Sequence, residues 1–293
     1  MTDEDLAAHL AQGAGRLLLT LREDALDRGA TLGVVADKAA NAYLMTSLER
    51  WRPQDAVLSE ESPDCSARLA RSRVWIVDPL DGTREYGEGR DDWAVHVALA
   101  VDGRPALGSV AVPARGGLYR SDAPAGGERP ERARPLIAVS RSRPPEGVKA
   151  LAEALGADLL PMGSAGAKAR AVVSGEADLY FHAGGQHEWD NCAPAAVALG
   201  AGLHASRIDG SPLVYNRADT LVPDLVIGRL DLAQRAVAWC NLNRSPRACR
   251  RAFLLSEMEG RGFDKLSPNG WACQSQAFNF RQASAFRSKG RLA

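Results

Sequence analysis

The chain begins with two stretches in which apolar residues recur at helical spacing. Thr2 is followed by three acidic residues, and a capping oxygen with nearby negative charge is typical of a helix start. Leucines then mark one face of a long amphipathic helix, at positions 6, 10, 17, 18 and 21. After a turn around Gly29 and Gly33, the apolar spacing predicts a second helix over residues 36–50. Asp37 falls in its first turn, where a carboxylate stabilises the helix dipole.

Short apolar runs and alternating runs predict strands in the next segment. Residues 56–58 form one such run and residues 73–77 form the next. Residues 93–100 and 106–112 alternate between apolar and other positions on either side of Asp102-Gly103. An Asp-Gly pair between two such runs predicts an antiparallel hairpin.

The pattern changes at residues 121–135, which are rich in Pro, Gly, Ala and charge. Such a segment predicts a boundary between an N-terminal α+β half (1–122) and a C-terminal α/β half (135–239). The second half alternates strand and helix, as a βα layer does. Its predicted strands cover residues 136–140, 158–161, 178–181 and 225–228, and its predicted helices cover 145–155, 165–174 and 231–239, with a further helix that opens at Glu188–Pro194, is capped by Asp190 and stops at Gly200.

Charge is distributed unevenly although the net charge is zero. Residues 240–293 hold ten Lys or Arg and three Asp or Glu, a net +7, so residues 1–239 carry the balancing −7. An acidic body argues against nucleic-acid binding, which needs a basic face. The last segment lacks a sustained apolar period, and we predict that 240–293 is an atypical basic tail, poorly ordered and outside the fold.

Cysteine use and hydropathy narrow the class of protein further. The five cysteines are widely spread and include no CxxC pair, which argues against a zinc site or a disulfide framework. The N-terminus is acidic, and no apolar run reaches 18 residues. We therefore expect a cytoplasmic protein without a membrane partner.

The strongest chemical signal is the turn at residues 78–83, where an apolar strand ends in DPLDGT. Carboxylates at Asp78 and Asp81 suit divalent ions, and the Leu80 carbonyl is a further candidate ligand. Gly82 and Thr83 would then begin a short helix whose free amides face a phosphate. Two acids in a turn are a weak signal alone, but the string with its preceding strand is more specific.

Two further motifs accompany this string in order: Ser59–Ser62 (SEES) and Glu188–Ala195 (EWDNCAPA). With Trp75–Thr83 they resemble the inositol monophosphatase superfamily, over roughly residues 5–239. The resemblance implies a layered αβαβα sandwich of the inositol monophosphatase and fructose-1,6-bisphosphatase type. It also implies a Mg²⁺-dependent phosphoric monoester hydrolase, in which bound metal activates the attacking water.

The resemblance also implies a ligand set for two or three Mg²⁺ ions per site. Glu60, Asp78 and the Leu80 carbonyl would hold the first ion. Asp78, Asp81 and Asp190 would hold the second.

Other roles follow from the same resemblance. Asp37 and Thr83 would orient the attacking water, so Asp37 becomes a catalytic candidate together with Thr83 and Glu60, while Glu61 would support Glu60. Gly82, Thr83 and Asp190 would contact the substrate.

Ser164 and Lys168 are further substrate candidates, because they lie in a small-residue turn at a predicted helix start. Two alternatives stay open here: the turn could be a close helix–strand contact, and Lys168 could be an exposed helix lysine.

Within the superfamily, three segments are most similar to the bacterial 3'(2'),5'-bisphosphate nucleotidases (the CysQ group): Asp78–Tyr86, Gly163–Lys168 and His182–Gln186. This implies hydrolysis of the 3'-phosphate of adenosine 3',5'-bisphosphate, a by-product of sulfate activation, and inhibition by Li⁺. Inositol 1-phosphate and fructose 1,6-bisphosphate stay open as substrates. A homologue that binds phosphorylated metabolites without turnover is a remoter alternative, and a homodimer, common in such families, is also open.

Overall fold

The structure is a computed structural model that describes residues 1–25, 29–123, 130 and 132–243. The first half runs in the order α1 (Asp3–Asp24), α2 (Ala30–Trp51), β1 (Ala56–Ser59), β2 (Arg73–Asp81), α3 (Thr83–Gly87), β3 (Ala94–Val101), β4 (Arg104–Val112) and β5 (Gly117–Arg120). The second half runs in the order β6 (Leu136–Ser140), α4 (Val148–Leu155), β7 (Asp158–Met162), α5 (Ala165–Val173), β8 (Leu179–His187), α6 (Glu188–Gly200), β9 (His204–Ser206), β10 (Leu221–Gly228) and α7 (Leu230–Leu242).

Each half supplies one five-stranded sheet to the described part of the chain. The first sheet has the order β1-β2-β3-β4-β5, and the second has the order β7-β6-β8-β10-β9. In the first sheet β1 and β2 are parallel, whereas β2, β3, β4 and β5 pair antiparallel. The predicted hairpin is confirmed: β3 and β4 are joined at Asp102 and Gly103, whose φ angles of 49° and 73° are those a tight hairpin turn requires.

Alternation along the strands divides the apolar side chains among three cores. Trp75 and Val77 of β2 pack with α1 and α2 on one face of the first sheet. Val74 and Ile76 point to the opposite face, where α5 and α6 fill the space between the two sheets. The outer face of the second sheet packs against α4 and α7. The layers are therefore α, β, α, β and α, which confirms the predicted fold class.

Helix α6 lies unusually close to the first sheet, although it belongs to the second half of the chain. The contact is made at Gly108 on β4, where a Cβ atom would lie 2.8 Å from the Ala193 carbonyl oxygen. A larger residue would push the helix away from the sheet. This contact fixes the position of the α6 N-terminus, which carries Asp190.

The second helix starts earlier than the sequence pattern predicts. It begins at Ala30, so Asp37 is its eighth residue and is 3% exposed, and the prediction of a first-turn dipole acid is wrong. Gly33, predicted as a turn residue, lies inside the helix. A Cβ atom there would lie 2.7 Å from Thr83 Cγ2, so the glycine serves close approach to the turn after β2 rather than a chain reversal.

The remaining differences concern two short strands and the end of α7. Strands β5 and β9, four and three residues long, were not predicted. Helix α7 continues to Leu242 and buries Cys240, so the first residues of the predicted tail belong to the fold. The rest of that prediction, over 244–293, lies outside the described residues. The division into domains at 122 and 135 stays a prediction.

None of the helices in the described ranges has both the length and the hydropathy needed to cross a bilayer.

Candidate metal and catalytic site

The first sheet places two acids side by side. Strands β1 and β2 run parallel with Ser59 opposite Val77, so Glu60 and Asp78 follow at the same edge. The pairing of β2 with β3 then shifts between Asp78 and Asp81. An irregularity of this kind redirects side chains. It lets both aspartates of the turn reach one cluster.

Helix α6 brings the third aspartate. Its N-cap is His187 rather than the predicted Asp190, because β8 runs directly into the helix. Asp190 is the third helical residue and accepts a 2.5 Å hydrogen bond from the His187 amide in a capping box. Carboxylate oxygens of Asp78, Asp81 and Asp190 all lie within 4.8 Å of one another.

Glu60 influences the cluster electrostatically. The residue as a whole is exposed, and it is not one of the three whose oxygens meet within 4.8 Å. Burial of the carboxylate, followed by the charges of Asp190 and Asp37, nevertheless raises the pKa of Glu60 to about 8. Among the charges that raise the pKa of Asp78, that of Glu60 is the largest. Glu60 is therefore an electrostatic neighbour of the cluster.

The acids of the cluster hold their protons more tightly than isolated carboxyl groups do. Burial, and then neighbouring negative charge, raises the pKa of Asp78 well above its usual range and that of Asp190 to about 6. Burial and Glu61 raise the pKa of Asp37 to about 7. Converging carboxylates with few compensating cations are the environment in which hard divalent ions bind. The residues present therefore fit a Mg²⁺-type centre.

Asp81 is held differently from the other acids. It accepts hydrogen bonds from the amides of Ala165 (3.2 Å) and Gly166 (2.6 Å) at the start of α5. The His96 ring lies against the same carboxylate, with Nε2 3.2 Å from Asp81 Oδ2. Burial alone would raise the pKa of Asp81, but the charge of His96 and these donors keep it below its usual value.

Asp37 and Thr83 meet beside the cluster. The Thr83 hydroxyl lies 3.3 Å from Asp37 Oδ2 and 3.1 Å from the Leu80 carbonyl oxygen, and can donate its single proton to either. Asp37 Oδ1 is buried and has no hydrogen-bond partner among the described residues. Such an oxygen is available to accept a proton or a hydrogen bond from a bound water. Gly82, with φ of +92°, caps the short helix α3, as the sequence predicts.

The turn at residues 163–168 is already occupied by protein contacts. Ser164 is the N-cap of α5 and accepts from the Ala167 amide at 3.0 Å, while Asp81 takes the two preceding amides. The ammonium of Lys168 is buried, donates to the carbonyl oxygens of Gly163 and Ser164, and lies 5.2 Å from the centroid of the Tyr180 ring. These contacts favour the close helix–strand contact over a free anion site. They also exclude the alternative that Lys168 is an exposed helix lysine. Substrate binding by Ser164 and Lys168 stays a prediction.

The sequence reasoning missed several groups around the site. His96 is fully buried; a single histidine in an otherwise apolar strand was the available signal. Asp92 accepts from the Gly163 amide at 2.7 Å, which holds the turn before α5. Arg141, after β6, donates to Glu85 (2.8 Å) and Glu88 (2.6 Å) and so ties the second sheet to α3.

Comparisons of the sequence and of the structure with known proteins point to the same family. A family model described as the inositol monophosphatase family matches residues 5–238. The chain is 50% identical over 249 residues to the 3'-phosphoadenosine 5'-phosphate phosphatase of Mycobacterium leprae, covering 80% of this chain and 91% of the relative. It is 30% identical over 239 residues to the 3'(2'),5'-bisphosphate nucleotidase CysQ of Escherichia coli, covering 74% and 96%. The crystal structure of CysQ from Bacteroides thetaiotaomicron superposes with a TM-score of 0.65 at 25% identity, covering 78% of this chain and 97% of that one.

Proposed function

Because the chain belongs to the inositol monophosphatase family, we propose that it is a Mg²⁺-dependent 3'(2'),5'-bisphosphate nucleotidase. Its substrate would be adenosine 3',5'-bisphosphate, hydrolysed to AMP and phosphate. The observation that carries this proposal is the convergence of Asp78 and Asp81, which share one turn, with Asp190 from a distant part of the chain. The names of the mycobacterial and enterobacterial relatives support the choice of substrate.

Five groups would hold the metal ions, two or three in number: the carboxylates of Asp78, Asp81, Asp190 and Glu60, and the Leu80 carbonyl. Mg²⁺ bound there supplies charge for the phosphoryl oxygens and the departing alkoxide, and lowers the pKa of water. The protein would contribute only oxygen ligands, four carboxylates and one backbone carbonyl, held by a strand end, a turn and a helix start.

The chain's own proton-handling groups lie beside the metal ligands. Asp37 has a pKa of about 7 and a buried oxygen without a partner among the residues that the structure describes, so it can accept a proton from water near neutral pH. The Thr83 hydroxyl, in contact with both Asp37 and the Leu80 carbonyl, orients this pair. Gly82 and Thr83 would hold the scissile phosphate at the start of α3.

The deciding experiment compares kcat/KM for adenosine 3',5'-bisphosphate, inositol 1-phosphate and fructose 1,6-bisphosphate. We expect the nucleotide to be preferred by at least about tenfold, or about 1.4 kcal/mol. We also expect turnover to stop with EDTA and to fall with Li⁺. A preference for inositol 1-phosphate or fructose 1,6-bisphosphate would replace the substrate assignment. Absence of turnover with all three, at saturating Mg²⁺, would favour the non-catalytic alternative.

Two further predictions accompany the proposal. We infer that the enzyme is cytoplasmic, which is consistent with the substrate class. We also infer that it forms a homodimer, because dimers are common in such families. Light scattering coupled to size exclusion would test the homodimer directly, because a monomer of 31.2 kDa and its dimer are easily separated.

A further inference from the structure

His96 contacts one acid of the cluster, Asp81, and the backbone next to another, Asp190, yet it is not one of the predicted ligands. It belongs to β3, where it pairs in register with Asp78 on β2. Its side chain is 0% exposed. A fully buried polar ring needs a structural reason, because an unpaired one destabilises the fold.

The two ring nitrogens contact different parts of the site. Nδ1 lies 3.0 Å from the carbonyl oxygen of Trp189, and because a carbonyl only accepts, Nδ1 carries the proton in this contact. Nε2 lies 3.2 Å from Asp81 Oδ2. Trp189 immediately precedes Asp190, so one ring joins the backbone beside one aspartate to the carboxylate of the other.

Helix α5 closes the remaining side of the ring. A Cβ atom at Gly166 would lie 2.3 Å from His96 Nε2 and 2.6 Å from the Ala94 Cβ atom, so only glycine fits there. The Gly166 amide also donates to Asp81. The imidazole therefore has a single orientation, set by the helix that holds Asp81.

We propose that His96 is a positioning residue for the metal centre: it fixes Asp81 relative to the α6 N-terminus so that Asp81 and Asp190 face the same cation. The proposal rests on the metal site of the proposed function. In this role His96 acts through Asp81 and is not itself a ligand. Residues that orient metal ligands affect metal affinity or activity by about 10–100-fold when replaced.

Three substitutions separate the two contacts. His96→Leu removes both contacts. In His96→Asn the amide nitrogen can take the place of Nδ1 and keep the bond to Trp189. In His96→Gln the amide nitrogen can take the place of Nε2 and keep the contact with Asp81. The matched control is His204→Gln, since His204 is a half-buried histidine of β9 that contacts Ser206.

The primary measurement is Mn²⁺ binding to the otherwise metal-free protein, followed by electron paramagnetic resonance, together with the Mg²⁺ concentration that gives half-maximal activity. We expect His96→Leu to lower the affinity for Mn²⁺ by about 10–100-fold and to raise the Mg²⁺ concentration for half-maximal activity by a similar factor. We expect His96→Asn and His96→Gln to lie between it and the wild type, and His204→Gln to match the wild type.

Wild-type Mn²⁺ affinity and Mg²⁺ dependence in all three His96 variants, with only the unfolding temperature lowered, would overturn the proposal. If His96→Leu does not fold, the Asn and Gln variants decide by the same criterion. Wild-type protein that neither binds Mn²⁺ nor hydrolyses any of the three substrates would overturn the proposed function and this inference with it. A functional wild type with unaffected variants would overturn this inference alone.

Discussion

The two sides of the acidic cluster are built in opposite ways. On one side, Asp81 accepts hydrogen bonds from two amides of α5 and faces the ring of His96. On the other side, Asp37, Glu60 and Asp78 face one another, and the largest influences on their pKa values are burial and neighbouring negative charge. The pKa of Asp81 is accordingly lowered, whereas those of the other three are raised.

This difference shows what the protein supplies and what it leaves to the cation. The fold itself supplies the groups that stabilise the Asp81 carboxylate, so this side chain is held in place without a bound cation. The other side is stabilised when positive charge or protons arrive, because its buried carboxylates have few donors, the Leu80 amide for Asp78 and the Thr83 hydroxyl for Asp37, and repel one another.

The largest expected effect is loss of turnover when a cluster aspartate loses its charge. Asp190→Asn and Asp81→Asn should each reduce kcat by at least about 10³-fold, since a metal contributes several kcal/mol to the transition state. Circular dichroism should show both variants folded. Asp158→Asn is the control, because Asp158 is an exposed acid paired with Arg134. Undiminished Mg²⁺-dependent turnover by either cluster variant would refute the site.

A smaller loss should follow removal of Asp37, which lies on the crowded side without being a predicted ligand. Asp37→Asn should lower kcat by about 10²–10⁴-fold, the usual range for a general acid or base. Its Mn²⁺ affinity should stay close to that of the wild type, since the cluster of three aspartates is intact. A variant that loses Mn²⁺ binding in proportion to activity would instead make Asp37 a ligand.

The asymmetry should also appear in metal-free stability. In EDTA at pH 8.5, Asp81→Asn should lower the free energy of unfolding by about 1–3 kcal/mol. The substitution replaces one of the two acceptor oxygens, so one of the buried amides of Ala165 and Gly166 loses its hydrogen bond. Asp78→Asn should be neutral or stabilising, because it removes a buried carboxyl group whose ionisation burial and the neighbouring acids oppose. Urea unfolding measures both. Equal destabilisation by the two variants would contradict the contrast between the two sides.

Metal-free stability should fall as pH rises. Asp190, Asp37 and Glu60 have folded pKa values of about 6, 7 and 8, above the value near 4 of an unfolded carboxyl group. Their contribution to stability is therefore complete below about pH 4 and is lost as the pH rises through these folded values. Thermal unfolding between pH 5 and 9 should show a decrease of several degrees in EDTA. Saturating Mg²⁺ should reduce this decrease, and a rise with pH in EDTA would contradict the assigned pKa shifts.

The smallest effect should come from the C-terminal segment. Deletion of residues 244–293 keeps α7 and the buried Cys240, and the family match ends at residue 238. We expect kcat/KM to change by less than about twofold, within the range of substitutions remote from a site. Loss of soluble protein on deletion would show that the segment belongs to the core.

The layers of the fold could be predicted because they follow from local periodicity. Alternation along β3 and β4 and helical spacing in α1 are properties of neighbouring residues, and these elements appear as predicted. Asp78 and Asp81 were recognisable for the same reason, since they share one turn. The start of α2 was not, because Gly33 usually breaks a helix, and here it permits contact with Thr83.

Long-range contacts set the limits of such prediction. The donors to Asp81 come from α5, more than 80 residues further along the chain, and their role there is invisible to any short pattern. Lys168 has the sequence context of a surface lysine but lies under the Tyr180 ring. The role of Asp37 came from family resemblance, because its position in the helix suggested only a dipole acid.

The placement of α6 has a consequence for how the enzyme is made. Asp190 lies 112 residues beyond Asp78 (190 − 78), and its helix covers a face of the sheet formed by the earlier strands. When only the first sheet has emerged from the ribosome, α6 does not yet cover the apolar face of that sheet. Asp78 and Asp81 are then present without Asp190. Capture of the cation must wait until translation has passed α6, so metal cannot guide the earliest folding steps but can lock the product once the last third of the chain arrives.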